Sequence, residues 1–288
     1  MANYSSEEEF YNALGLDWIP PELREDKGEI EKAVNHSLPK LVELKDIKGD
    51  LHVHSNYPIE PSHDLGQNTM QEMIKKAIEL KYEYVGFSEH NPSISKHKNE
   101  QIYALIAKKT EFIEQLKSSN KYVHILNLLE TDILPSGSLA IDEKSLSLID
   151  ASIVSIHSVF GMNKKDMTER ILKGLSHKKA KILAHPTGRM IGARQGYEAD
   201  WEKIFNFCAK FNKALEINAS PTRLDLPEQL VREAVEKKVK MIINTDSHAV
   251  DQMDQMRYGV AVARRGWAEK NDILNTLEYN KFIDWLYS

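Results

Sequence analysis

Seven short apolar runs recur between Lys48 and the C-terminal region, separated by longer polar and amphipathic stretches. No other feature of the chain constrains its fold as much. The runs are read as strands at 50–53, 84–87, 123–129, 151–156, 181–184, 214–217 and 240–244. Helices are read at 70–80, 101–116, 201–211 and 228–237. Thr69 and Glu72 form a reciprocal cap for the first of these. Apolar strands between amphipathic helices build a parallel sheet covered on both faces. Repeated this often over about 240 residues, such units close naturally into an α/β barrel. The stretch 1–46 is expected to be a separate helical leader, and 47–288 the barrel domain. Ser5 and Ser6 before Glu7-Glu8-Glu9 mark a helix start. Pro20-Pro21 interrupts it, and a second short helix is expected after Lys27-Gly28, through Ile30 and Val34.

Each strand ends in residues that can bind a metal. The first ends in His52 and His54, which share one face of an extended segment because one residue separates them. The others end in Ser88-Glu89-His90, Glu130-Thr131-Asp132, Ser155-Ile156-His157-Ser158, His185-Pro186-Thr187-Gly188-Arg189, Glu216-Ile217-Asn218 and Asp246-Ser247-His248. In an α/β barrel the active groups come from the C-terminal strand ends. Imidazoles and carboxylates without thiolates suit zinc, manganese or iron better than magnesium or calcium. So many donors exceed the needs of one tetrahedral ion, and two or three clustered ions are expected. A lone histidine near a strand end is ordinarily a surface or hydrogen-bonded residue; the weight lies in the joint placement. His36, His97, His124 and His177 lack it and are read as solvated or structural. His63 adjoins Asp64 in a loop and stays open.

The net charge of −5 gives no global positive field for nucleic acid. This disfavours a high-affinity nucleic-acid-binding module. It leaves a nuclease open, because bound cations themselves attract phosphate. The single cysteine, Cys208, excludes a disulfide framework and a multi-thiolate zinc site. No apolar run approaches a bilayer span, and Met1 to Phe10 is polar and acidic, unlike a secretory signal. A cytoplasmic location without a membrane partner is expected.

Several segments carry a resemblance. They are Gly49-Asp50-Leu51-His52-Val53-His54-Ser55, Gly66-Gln67-Asn68-Thr69, Val154-Ser155-Ile156-His157-Ser158, Ala184-His185-Pro186-Thr187-Gly188-Arg189, Glu216-Ile217-Asn218-Ala219 and Thr245-Asp246-Ser247-His248. In them the chain resembles the polymerase-and-histidinol-phosphatase (PHP) domain, and within it the C-terminal PHP domain of bacterial family X DNA polymerases. The likeness runs from about Ser5 to the C-terminus, and includes the leader Ala13-Leu14-Gly15-Leu16-Asp17-Trp18-Ile19-Pro20-Pro21 and the tail Ala263-Arg264-Arg265-Gly266-Trp267. It implies a distorted seven-stranded (β/α)7 barrel of the PHP type with three divalent metal ions: zinc and/or manganese, with iron as a further option. It implies nine ligands: His52, His54, Asp64, His90, Glu130, His157, His185, Asp246 and His248. Asp64 comes from the resemblance alone. The loop 55–66 is longer than the family's Ser-Asp-Gly loop, and His63 is the alternative ligand there. Glu89 stands where the family commonly has Asp. Family X polymerases carry nucleotidyl-transfer domains upstream, so a free-standing relative and a portion of a longer polymerase are both open, as is association with polymerase domains.

The subfamily resemblance implies hydrolysis of DNA phosphodiesters, as a 3′–5′ exonuclease, with 3′-end processing or abasic-site cleavage beside it. The runner-up is a small-molecule phosphomonoesterase of the histidinol-phosphate type. A third reading is a PHP domain that only supports a polymerase; the full ligand set argues against it. Clustered ions polarise phosphoryl oxygens and lower the pKa of a water between them. Glu130 is expected as a bridging catalytic carboxylate and His157 as an aid to proton transfer. Arg189 and Arg223 are expected to grip a phosphate. Asn218 is expected to contact substrate or to orient a ligand.

Overall fold

A computed structural model describes residues 4–288. The strands are β1 (Gly49–Val53), β2 (Tyr84–Phe87), β3 (His124–Asp132), β4 (Ala151–Ser155), β5 (Ala180–Leu183), β6 (Ala214–Asn218) and β7 (Met241–Asn244). The helices are α1 (Glu7–Ala13), α2 (Glu29–Val34), α3 (Met70–Glu79), α4 (Asn99–Ser119), α5 (Glu143–Leu146), α6 (Lys164–Leu175), α7 (Trp201–Phe211), α8 (Glu228–Glu236), α9 (Met256–Arg265) and α10 (Tyr279–Tyr287). Thr69 caps α3 as expected: its hydroxyl accepts from Glu72 N–H, and Glu72 reaches back to Thr69 N–H at 2.8 Å.

The seven strands run parallel in the order β1 to β7. Nearly every strand residue is buried, as a sheet covered on both faces requires. The two edges meet. Val53 bridges Ser247, with His54 N–H donating to Ser247 O at 2.8 Å and Ser247 N–H to His52 O at 3.2 Å. Side chains complete the seam. Asn244 Oδ1 accepts from Leu51 N–H at 3.0 Å, and Asp50 accepts from Thr245 N–H at 3.2 Å. The expected (β/α)7 barrel is therefore present and nearly closed.

Two apolar layers leave one end of the barrel for chemistry. The larger packs the helices onto the sheet, with Val53, Phe87, Val154, Leu183, Ile217 and Ile243 among its strand residues. The second runs from Leu51, Tyr84, Ala151, Ile153 and Ala214 to Phe282, Trp285 and Leu286 of α10. It fills the end where the strands begin, so the polar residues gather where they finish. The leader packs on this body through Ile19, Leu23, Ala33 and Leu41 around Trp267. No helix among the described residues is long and apolar enough to cross a membrane.

Candidate metal centre

Glu130, at the end of β3, is the hub of the site. Its Oε2 lies 3.2 Å from His52 Nε2, 3.5 Å from His54 Nε2 and 3.0 Å from His90 Nδ1. Its Oε1 lies 3.2 Å from His157 Nε2 and 2.9 Å from His185 Nε2. Asp246 Oδ1 lies 3.3 Å from both His52 and His54. Asp64 reaches in from its loop to within 3.4 Å of His90 and 3.5 Å of His248. All nine expected ligands thus converge, from the ends of β1, β2, β3, β4, β5 and β7 and from the loop 55–66. His63 is there too, its ring centroid 4.2 Å from that of His157. His36, His97, His124 and His177 lie outside; His36 pairs with Asp17, His97 with Glu60 and His177 with Glu143, while His124 stacks on Tyr279.

The donors form four groups able to hold ions: His52, His54, Glu130 and Asp246; Glu130, His157 and His185; His54, His90 and His248; and His63, His90 and His157. Several of these atoms are buried yet make no hydrogen bond, among them His52 Nε2, His54 Nε2, Glu130 Oε2, His90 Nδ1 and His248 Nε2. Orphaned buried polar atoms are costly. A divalent cation would satisfy them together, so the residues fit the metals that the resemblance implies.

The electrostatics agree. Burial opposes charge on Glu130, but His90, His157 and His52 outweigh it and hold the carboxyl well below its usual pKa. Asp246 is likewise held down, by His52 and His54. Burial also opposes charge on His52; Asp246, Glu216 and Glu130 override it and raise the imidazole well above its usual value. At His185 burial wins, aided by Arg223, and its pKa falls to about 4. The ionised carboxylates are ready for a cation, while His52 would have to give up a proton to ligate one. Two of the expected ligands sit on strained backbone, His185 at φ 28° and Asp246 at φ 54°, a conformation that the surroundings must enforce.

That enforcement comes from residues that the ligand list omits. Glu216, on β6, accepts from His52 Nδ1 at 2.7 Å and from His185 N–H at 2.7 Å, and Asn244 and Asn218 bond its carboxylate at 3.0 Å and 3.1 Å. Asp132 binds His157 Nδ1 at 2.6 Å. Each carboxylate selects which imidazole nitrogen faces the centre. The sequence displayed both as strand-end acids but offered no sign that they would stand behind histidines. For His157, Nδ1 is taken by Asp132, so only Nε2 faces the centre.

Three residues expected near the substrate take up distinct places. Arg189 turns to its neighbours: Nε donates to Arg223 O at 2.8 Å and Nη2 to Leu224 O. These bonds prop the Arg223 loop. Asn218 is fully buried and donates to Asp246 Oδ2 at 3.1 Å, which matches the ligand-orienting one of its two expected roles. Arg223 keeps its expected place. Its Nε is 3.5 Å from Asp246 Oδ2, and its buried Nη1 has no partner.

Comparison with known proteins places this geometry. The PHP domain model matches residues 50–220. The DNA polymerase/3′-5′ exonuclease PolX of Bacillus subtilis is 38% identical over 272 residues, which are 94% of this chain but 46% of that protein. The chain therefore spans less than half of that relative. A probable phosphatase of Clostridium acetobutylicum is 28% identical over 208 residues, 69% of this chain and 78% of the relative. A seven-stranded parallel barrel whose strand ends converge on one carboxylate, matched by the PHP model over most of those strands, leaves one conclusion: the chain belongs to the PHP domain family of phosphoesterases.

Proposed function

We propose that this protein is a metal-dependent phosphoesterase that hydrolyses DNA phosphodiesters at 3′ ends. The observation that carries the hydrolytic part is the convergence of five imidazoles on the two oxygens of Glu130. The likeness to the Bacillus polymerase/exonuclease along 94% of the chain supports DNA as the substrate. In this reading His52, His54, Glu130 and Asp246 hold one divalent ion, and Glu130, His157 and His185 a second. His90 and His248, with Asp64 across from both, hold a third. Zinc and manganese fit these donors, and iron is a further option. Bound there, the ions would polarise the phosphoryl oxygens and lower the pKa of an attacking water.

The chain's own residues do the rest. Glu130 belongs to two of the donor groups and would help to hold an ion in each. Glu216 and Asp132 hold His52 and His157 in the ligating tautomer. Arg223 Nη1, buried and unpartnered, is placed to receive a phosphoryl oxygen. Association with polymerase domains is proposed on the same likeness, and 3′-end processing or abasic-site cleavage accompanies the exonuclease reading.

A second reading is a phosphomonoesterase for small substrates, favoured by the likeness to the Clostridium probable phosphatase over 78% of that protein. One experiment separates the two. Metal-loaded protein is assayed on single-stranded DNA, gapped DNA, abasic DNA and small phosphomonoesters. Cleavage confined to monoesters overturns the DNA reading. His52→Ala and Asp246→Ala are each expected to abolish all activity, and activity surviving both would mean the centre is misassigned.

A further inference from the structure

The loop 55–66 is anchored at both ends and open at its tip. Ile59 is fully buried, and Gly66 lies against the His54 backbone, while His63, Asp64 and Leu65 are exposed. Ser62 N–H donates to Asn91 O at 2.8 Å, which ties the backbone before His63 to the segment after β2. From that anchor His63 turns inward. Its ring centroid lies 4.2 Å from His157 and 4.9 Å from His90, and the three histidines offer nitrogens within 4.8 Å of one another. Asp64 lies between His90 and His248, 3.4 Å and 3.5 Å from them. The loop therefore delivers two adjacent donors to the centre, which share His90 as a neighbour and diverge toward His157 and His248.

The nine-ligand set has no use for His63. Yet it stands beside two imidazoles of that set. His90 Nδ1 is buried without a hydrogen-bond partner, and His157 presents Nε2 inward because Asp132 holds Nδ1. A neutral imidazole gives a metal one nitrogen. Ser62 Oγ lies 2.8 Å from His63 Nδ1, which leaves Nε2 to ligate. Catalytic metal positions with three protein ligands keep a fourth place for water or substrate. Glu130, His157 and His185 form such a three-ligand set, and the His63 trio shares His157 with it.

We propose that His63 is a displaceable tenth ligand, which closes the centre on its His157 side until a phosphate group takes its place. The proposal rests on the metal-dependent reading above. His63 is the member of its trio able to leave, because it alone is exposed while His90 is buried and His157 nearly so. Rotating its side chain at the loop tip disturbs no packing in the barrel. The exchange is one neutral nitrogen donor for one anionic oxygen donor, with no bond of the phosphate broken.

The test uses the full chain loaded with cobalt(II), whose visible absorption reports coordination, and inorganic phosphate as the probe. In the wild type, phosphate is expected to change the spectrum as the imidazole leaves. In His63→Ala the spectrum should differ before phosphate is added. A competing chelator should remove one metal equivalent about tenfold more readily, and phosphate should bind several-fold more tightly, because nothing is displaced. His63→Gln, which keeps a polar side chain but not the imidazole, should behave as the alanine variant does. Identical spectra, metal release and phosphate affinity in wild type and variants overturn the proposal alone. A wild type that takes up no cobalt overturns the metal-dependent reading along with it.

Discussion

Glu130 shows how one side chain organises a site. Fully buried, it faces five histidines from four other strands or their loops, and its two oxygens divide them into two sets. The carboxylates behind those histidines matter next. Asp132→Asn is expected to lower activity and metal affinity by about 10–100-fold, and isothermal titration with metal ions reads the second effect directly. An unchanged affinity would remove Asp132 from its positioning role. Asp225 gives a prediction in pH. Burial raises its pKa to about 6, against the pull of Thr187 N–H and the nearby Arg189 and Arg223. Below pH ~4 the group is neutral in both folded and unfolded chains and contributes nothing. Between pH ~4 and ~6 the folded state keeps a proton that the unfolded state releases, so stability falls as pH rises. Above that window the full penalty, on the order of 2–3 kcal/mol, is present. Asp225→Asn should therefore gain on the wild type between pH 4.5 and 7 in urea denaturation. Parallel stability curves for the two proteins would contradict this.

At the scale of elements, the loop 55–66 and the strand β1 act as one piece. A Cβ on Gly66 would lie 2.3 Å from His54 O and 2.7 Å from His54 C. Those are backbone atoms of a ligand strand and cannot step aside cheaply. Gly66→Ala is expected to displace His54 and to lower metal content measured by elemental analysis, even where the fold survives by circular dichroism. Full metal content would show that the contact relaxes without cost to the centre. The opposite end of the barrel is closed by α10, whose Phe282 is fully buried and stacks on Tyr84 with centroids 4.7 Å apart. Phe282→Ala should cost about 3–5 kcal/mol through the cavity it leaves, read as a shift in the urea midpoint. That helix, with α5, α6 and α9, is absent from the sequence reading. In α6 the apolar residues Met167, Ile171 and Leu175 keep a helical spacing, but Thr168, Arg170 and Gly174 share the buried face, so the apolar stripe is narrow. Arg170 is buried because its guanidinium binds the carbonyls of Ile133 and Ser158, a reason that no local pattern carries.

For the whole molecule, the centre is also a fastener. Seven parallel strands bring carboxylates and imidazoles to one end, and only a cation can satisfy them all. Stripping the protein with a chelator is expected to lower Tm, and adding back zinc or manganese to restore it, with a shift that grows with free metal. Calorimetry with and without chelator checks this, and a Tm indifferent to metal would count against the centre. The sequence by itself determined the strand number, the parallel barrel, and the strand-end position of eight of the nine expected ligands. It could do so because a strand's apolar run and the polar residue that ends it are local properties of the chain. Tertiary structure alone decided which carboxylates stand behind which histidines, that Arg189 props a loop while Arg223 faces the centre, and that His63 and Asp64 both arrive there. Those outcomes depend on side chains far apart in the chain meeting at one end of a closed barrel, and His52, held by Glu216 from β6 while Glu130 of β3 faces it, is the plainest case.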